Sequence, residues 1–180
     1  NEDCADDTKV IARKFIALKK NQDWALYTLA GRRLTLHEWD EITFVKDLLI
    51  FKRAGEYRLI TAVQMSRSAD EQKIAFTDPF DDVKPWAMQR LWVKSKDFEG
   101  VLDQRLQAII PFDTYKLEQT YFGATAQSAS GYKLFNRQGK EISVAKDMRI
   151  HEPWIALQID GKWQLFDEVN RSLSASSFVS

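Results

Sequence analysis

"FIALKKNQDWALYTL" at residues 15–29 and "WIALQIDGKWQLFDE" at residues 154–168 repeat one pattern near the two ends of a 180-residue chain. In each, an aromatic residue leads into Ile-Ala-Leu, a Trp follows nine positions after that aromatic, and a Leu and another aromatic come next. Self-similarity at periods of roughly 20–50 residues marks arrays of small supersecondary units, so the echo is a question about repeats before it is one about helices or strands.

Alignment on the echoed Trp gives five stretches: "WALYT" from Trp24, "YRLIT" from Tyr57, "EGVLD" from Glu99, "YKLFN" from Tyr132 and "WQLFD" from Trp163. Each reads anchor, variable residue, aliphatic, apolar, then Thr, Asn or Asp. The anchors are 33, 42, 33 and 31 residues apart. The third is irregular, because its aromatic, Phe98, comes one place early. In "TLAGRRL", "NRQGKEI" and "DEVNRSL" a turn-starting polar residue stands three places before Gly31, Gly139 or Asn170. That is hairpin-loop chemistry: the short polar side chain ties the turn backbone, and Gly or Asn accepts the left-handed conformation.

Further on, "HEWDEIT", "TDPFDDV", "IPFDTYK" and "AKDMRIH" each set an Asp (Asp40, Asp81, Asp113, Asp147) before a new apolar strand. Trp39, Phe80 and Phe112 share the position before the first three. A unit then reads as anchor strand, hairpin, second strand, Asp corner, third strand, fourth strand and turn. Four short strands in about 33 residues predict an all-β chain of about five antiparallel hairpin repeats. Residues 1–14 are a lead-in or part of a split repeat, and residues 15–180 a single β-repeat domain. An open array is the expected architecture, with a five-bladed, propeller-like ring as the alternative. The split first and last units suit closure, yet an open array of arbitrary phase reads the same. Apolar spacing at Val10, Ile11, Phe15 and Leu18 also admits a helix over residues 6–14.

These units resemble the WG repeats of bacterial proteins, whose pattern runs Trp-Gly-Leu-Ile-Asp, a Gly-containing turn, then a Pro-containing Tyr-Asp corner. "EGVLDQRLQAIIPFDTY" at residues 99–115 is the nearest match, with Gly100, Asp103, Pro111 and Asp113. "GKWQLFD" matches the turn and the Trp anchor. Ala25, Arg58, Lys133 and Gln164 replace the eponymous Gly elsewhere, and the anchor is Trp only at Trp24 and Trp163. The resemblance implies β-structure and a binding scaffold, more often at the bacterial surface, in the periplasm or secreted than cytoplasmic. It implies no common catalytic residues.

Composition bounds the partners. Lys and Arg number 26, as do Asp and Glu, so the chain lacks the basic field expected of a general nucleic-acid binder. Hydrophobic residues make up 44%, enough for a folded core. No window approaches the roughly 18 apolar residues of a membrane-spanning helix. Cys4 is the single cysteine, which excludes an internal disulfide. The opening Asn in place of Met is expected of a trimmed or mature form.

Candidate chemistry is sparse. His37 and His151 lie in different repeats at different phases, and no nucleophile elbow, phosphate-cradling loop or His-Glu-x-x-His helix is present. Asp78, Asp81 and Asp82 in "DPFDD" are oxygen ligands without EF-hand spacing, read more simply as a turn device. We expect no catalytic residues, no metal and no cofactor. The second unit carries an extra polar stretch, "MSRSADEQK" at residues 65–73, read as a loop extension on one face. Together with "PFDDVKPW" it gives the candidate binding surface: Arg67, Asp70, Asp81, Asp82 and Trp86. The expected function is non-enzymatic protein interaction, with an inhibitor or immunity-type partner as one version. Carbohydrate binding is the alternative, and it calls for equivalent aromatic pockets in several repeats.

Overall fold

The computed structural model describes residues 5–71, 74–120, 122–151 and 153–167, with the backbone alone for 69–71. The chain is nearly all β, with its strands in five antiparallel sheets. The first sheet holds β1 (Asp7–Ile11), β2 (Phe15–Lys20) and β3 (Asp23–Thr28). The second holds β4 (Glu41–Val45), β5 (Leu48–Arg53) and β6 (Glu56–Thr61), followed by helix α1 (Ala62–Glu71). The third runs β7 (Asp82–Trp86), β8 (Arg90–Ser95), β9 (Phe98–Leu102) and β10 (Ala108–Asp113). The fourth runs β11 (Lys116–Thr120), β12 (Gly123–Ser128), β13 (Gly131–Asn136) and β14 (Glu141–Ala145). The fifth holds β15 (Asp147–His151), β16 (Trp154–Ile159) and β17 (Lys162–Phe166). Two compact units divide the chain: residues 1–96 with 102–107, and residues 97–101 with 108–180.

All five sequence anchors fall on the third strand of a sheet, namely β3, β6, β9, β13 and β17. A sheet therefore takes its first two strands from one sequence unit and its third from the next. Residues 7–11 are a strand paired with β2, so the helix admitted there does not form, and most of the lead-in belongs to the first sheet. β2 is accordingly the middle strand of the first sheet.

On four of these strands the aliphatic two places after the anchor is a core residue, whereas on β17 its counterpart Leu165 is 37% exposed. Leu26, Leu59, Val101 and Leu134 are all fully buried. Of the anchors themselves, Trp24 and Glu99 are buried, while Tyr57, Tyr132 and Trp163 stand half-exposed. Cations lie on three of the aromatic anchors, with Lys9 4.2 Å from Trp24, Lys52 5.3 Å from Tyr57 and Arg149 4.8 Å from Trp163. Burial of Lys9 holds its ammonium below the usual lysine pKa.

The corner aromatics do what their shared position suggests. Trp39 bridges Trp24, and Phe80 bridges Tyr57, by backbone hydrogen bonds. Phe112 lies over Gly100, where an added Cβ would meet the ring at 3.0 Å. Among the described residues the first two sheets have no regular fourth strand, and a threonine replaces one of its acceptors. Leu26 N–H donates to Thr35 Oγ1 at 2.9 Å, and Leu59 N–H to Thr77 Oγ1 at 3.0 Å.

Hairpin chemistry follows the sequence closely. Thr28 and Asn136 start turns closed at Gly31 (φ +83°) and Gly139 (φ +87°). Asp103 starts the same turn with Leu106 (φ +63°) in the glycine position, and its Oδ1 accepts from Arg105 and Gln107 N–H. Asn170 lies outside the described residues, as does Cys4.

The Asp corner works differently from a local turn tie. Asp40 Oδ2 accepts from Ala54 N–H at 2.7 Å, and Asp81 Oδ2 from Lys96 N–H at 2.5 Å. Asp6, unnoticed in the sequence, accepts from Asn21 N–H at 2.8 Å in the same way. Each carboxylate thus reaches across its sheet to clamp the tight turn between the second and third strands. Asp113 and Asp147 are out of phase and accept instead from the next residue, Thr114 or Met148, while Asp113 also lies 3.9 Å from Lys133 Nζ. Lys146 holds the clamp position in the fifth sheet, with its N–H on Gln158 O at 2.9 Å.

Loss of one clamp has a modest expected cost. Asp40→Ala should lower unfolding free energy by about 1 kcal/mol, because the hydrogen bond is charge-assisted but exposed. Asp40→Asn, which keeps an acceptor oxygen, should recover most of it. Urea midpoints for the three proteins check this, and identical midpoints would show an idle clamp.

Candidate functional site

The extra stretch of the second unit is not a loop. It forms the greater part of α1, whose start carries a reciprocal capping box: Gln64 N–H donates to Thr61 Oγ1, and Thr61 N–H to Gln64 Oε1, both at 3.1 Å. The signal was legible as "TAVQ". Burial at Ala62, Met65 and Ser68 has helical spacing, and Met65 packs into the cluster formed with Trp39, Phe51 and Ile60. The outer face presents Val63, 54% exposed, with Arg67 one turn further on and also exposed.

The other candidate residues divide by role. Asp81 is occupied by its clamp on Lys96. Asp82 accepts from Val83 N–H at 2.9 Å and pairs with Lys84 at 2.9 Å. Trp86, half-buried, ends β7 opposite Arg90. Asp70 lies on α1, and its side chain is outside the described residues. Among the described residues no hydrogen bond or ion pair joins Arg67 to Asp81, Asp82 or Trp86.

His37 is tied into the first sheet, with Nε2 3.0 Å from Tyr27 Oη and Nδ1 3.1 Å from the Asp23 carbonyl. That arrangement holds the chain between Tyr27 and the Trp39 bridge. His151 is exposed at the end of β15.

A cleft of about 390 Å³ opens in the second sheet, lined by Glu38, Trp39, Arg53, Ala54, Glu56, Arg58 and Phe76. Strand register explains its wall. Phe51 faces Arg58, and Arg53 faces Glu56, so all four project from one side of the β5–β6 pair. Under the cleft Trp39, Phe51 and Phe76 form an aromatic triad with centroids 5.0, 5.3 and 5.0 Å apart at inclined angles. The rim is the Ala54–Gly55 turn, clamped by Asp40. Arg53 Nη1 donates to Glu38 Oε2 at 2.6 Å. Arg58 is half-buried and meets no carboxylate among the described residues. The indole N–H of Trp39 is buried and has no acceptor among the described residues. None of this grouping was visible in the sequence, where the seven lining residues are spread over 38–76.

No protein-family model matches the chain, and no curated protein does. Among solved structures the chain is similar to Hsv2 of Kluyveromyces lactis, at 10% identity and TM-score 0.37, covering 96% of this chain and 63% of that one. It is also similar to PorZ, a surface component of the type-IX secretion system of Porphyromonas gingivalis, at 11% identity and TM-score 0.34. A third likeness is to the dihydro-heme d1 dehydrogenase NirN, at 10% identity and TM-score 0.33. The chain covers 28% of PorZ and 47% of NirN, with 96% and 98% of its own length matched. These likenesses carry no functional inference. Among the described residues no helix is long and apolar enough to cross a membrane.

Proposed function

We propose that the chain is a non-enzymatic protein-interaction module built on degenerate WG-type repeats, with the outer face of α1 as its contact surface. The observation that supports this reading is the helix itself. It interrupts one repeat, is capped at its start, and is held by Met65 in the core while Val63 and Arg67 face outward. A rigid exposed element that departs from an otherwise regular framework is where a repeat protein places recognition. An aliphatic beside a guanidinium suits a partner surface with an apolar centre and an acidic edge.

The carbohydrate reading has less support. Trp154 is 45% exposed at the start of β16, but the residues opening β2 and β5, Phe15 and Leu48, are buried. The exposed aromatic is therefore not repeated, and equivalent sugar pockets do not follow from it.

The test pairs affinity capture with a charge-reversed face. Val63→Asp with Arg67→Glu should abolish capture of a stoichiometric partner that the parent chain retains, with thermal midpoints unchanged. Equal capture by both proteins, or elution by simple sugars, overturns the reading.

A further inference from the structure

The cleft in the second sheet holds two guanidiniums and two carboxylates, and its residues join one pair of them. Of its two guanidiniums, Arg53 is paired with Glu38 at 2.6 Å, whereas Arg58 is half-buried and forms no ion pair among the described residues. A guanidinium drawn partly out of water loses hydration that an anion restores, best through two parallel N–H···O bonds. Trp39 lines the cleft, and its indole N–H, buried with no acceptor among the described residues, reports on the environment there.

The remaining walls narrow the guest. A volume of about 390 Å³ lies near the lower end of the roughly 300–1,000 Å³ usual for ligand sites, enough for a ring and a short acidic arm. Trp39 and Phe76 offer aromatic surface, which a second ring meets by offset or edge-to-face packing. Glu38 and Glu56 at the same cleft repel a guest with two negative charges, so a phosphate is disfavoured relative to a single carboxylate. We propose that this cleft binds a monocarboxylate carried on an aromatic body, with Arg58 taking the carboxylate and Trp39 and Phe76 the ring. The inference concerns the cleft alone and stands whether or not α1 docks a protein.

N-acetyl-L-phenylalanine and its amide test it, with the Trp39 indole N–H resonance of ¹⁵N-labelled protein as readout, assigned through Trp39→Phe. The acid should shift that resonance with a Kd below about 1 mM, and the amide should bind at least about tenfold more weakly. Arg58→Gln should erase the difference between them. Should that variant misfold, Arg58→Lys, which keeps the charge but loses the fork, should give an intermediate preference. A peptide ending in Phe with a free carboxylate separates two sources. Tighter binding than the free acid identifies a chain terminus, and equal or weaker binding identifies a small acid; both support the site. No shift up to about 10 mM acid, equal binding of acid and amide, tighter binding of phenyl phosphate, or an acid preference that survives in Arg58→Gln overturns the proposal.

Discussion

Phe51→Ala should remove about 3–5 kcal/mol of unfolding free energy. Phe51 is fully buried on β5, and its ring lies 5.0 Å from both Trp39 and Phe76. Truncation deletes the central member of the triad and leaves a void that the surrounding strands can close only in part. They are constrained by the Asp40 clamp at the Ala54 turn and by the pairing of Phe51 with Ile42 on one side and Arg58 on the other. Small domains have about 5–15 kcal/mol in total, so a loss of this size removes a large share. Met65 belongs to the same cluster, so amide exchange along α1 should quicken together with the drop in the urea midpoint. A loss below about 1 kcal/mol would mean that the triad is not a cooperative part of the core.

The second large effect is steric. Gly123, with φ +153°, begins β12 opposite Asn136. A Cβ built there would lie 2.1 Å from the Phe135 carbonyl oxygen and 2.6 Å from the Asn136 carbonyl carbon. Both are backbone atoms of the neighbouring strand, so no side-chain rotation relieves the contact and the β12–β13 ladder must part. Gly123→Ala should therefore cost about 3 kcal/mol or more. Gly31→Ala is the matched control: φ is +83°, but nothing lies within 4 Å of the added Cβ. It should carry only the left-handed backbone strain, about 1–2 kcal/mol. Thermal or urea unfolding of the pair separates the two contributions, and equal losses would sink the steric account.

The internal repeat was readable because it rests on local rules. A tight turn demands a left-handed residue, and Gly31 and Gly139 announce it; a strand that is buried on one side needs an aliphatic at fixed phase, and Leu26, Leu59 and Leu134 provide it. Asp40 and Asp81 were visible as recurring residues, but the atoms they bind were not. Their partners, Ala54 and Lys96, are 14 and 15 residues away and are brought within reach only by strand pairing. Asp113 and Asp147 looked like members of the same set because a short motif does not carry its phase relative to the turn beyond. α1 was misread from its polarity, although "TAVQ" and the spacing of Ala62, Met65 and Ser68 were there to be found. A polar segment reads as a loop until the few apolar residues that it buries are known.

By itself the sequence determined an all-β chain with five phased anchors and the hairpin turns that follow several of them, since each depends on residues within one turn or one strand. The tertiary structure decided which strands share a sheet, seated the inserted helix on the core through Met65, and gathered Arg58, Trp39 and Phe76 around one cleft. Those outcomes depend on strand register and on burial between segments far apart in the chain. A one-residue change of register would turn Arg58 to the opposite side of its strand while leaving the repeat pattern untouched.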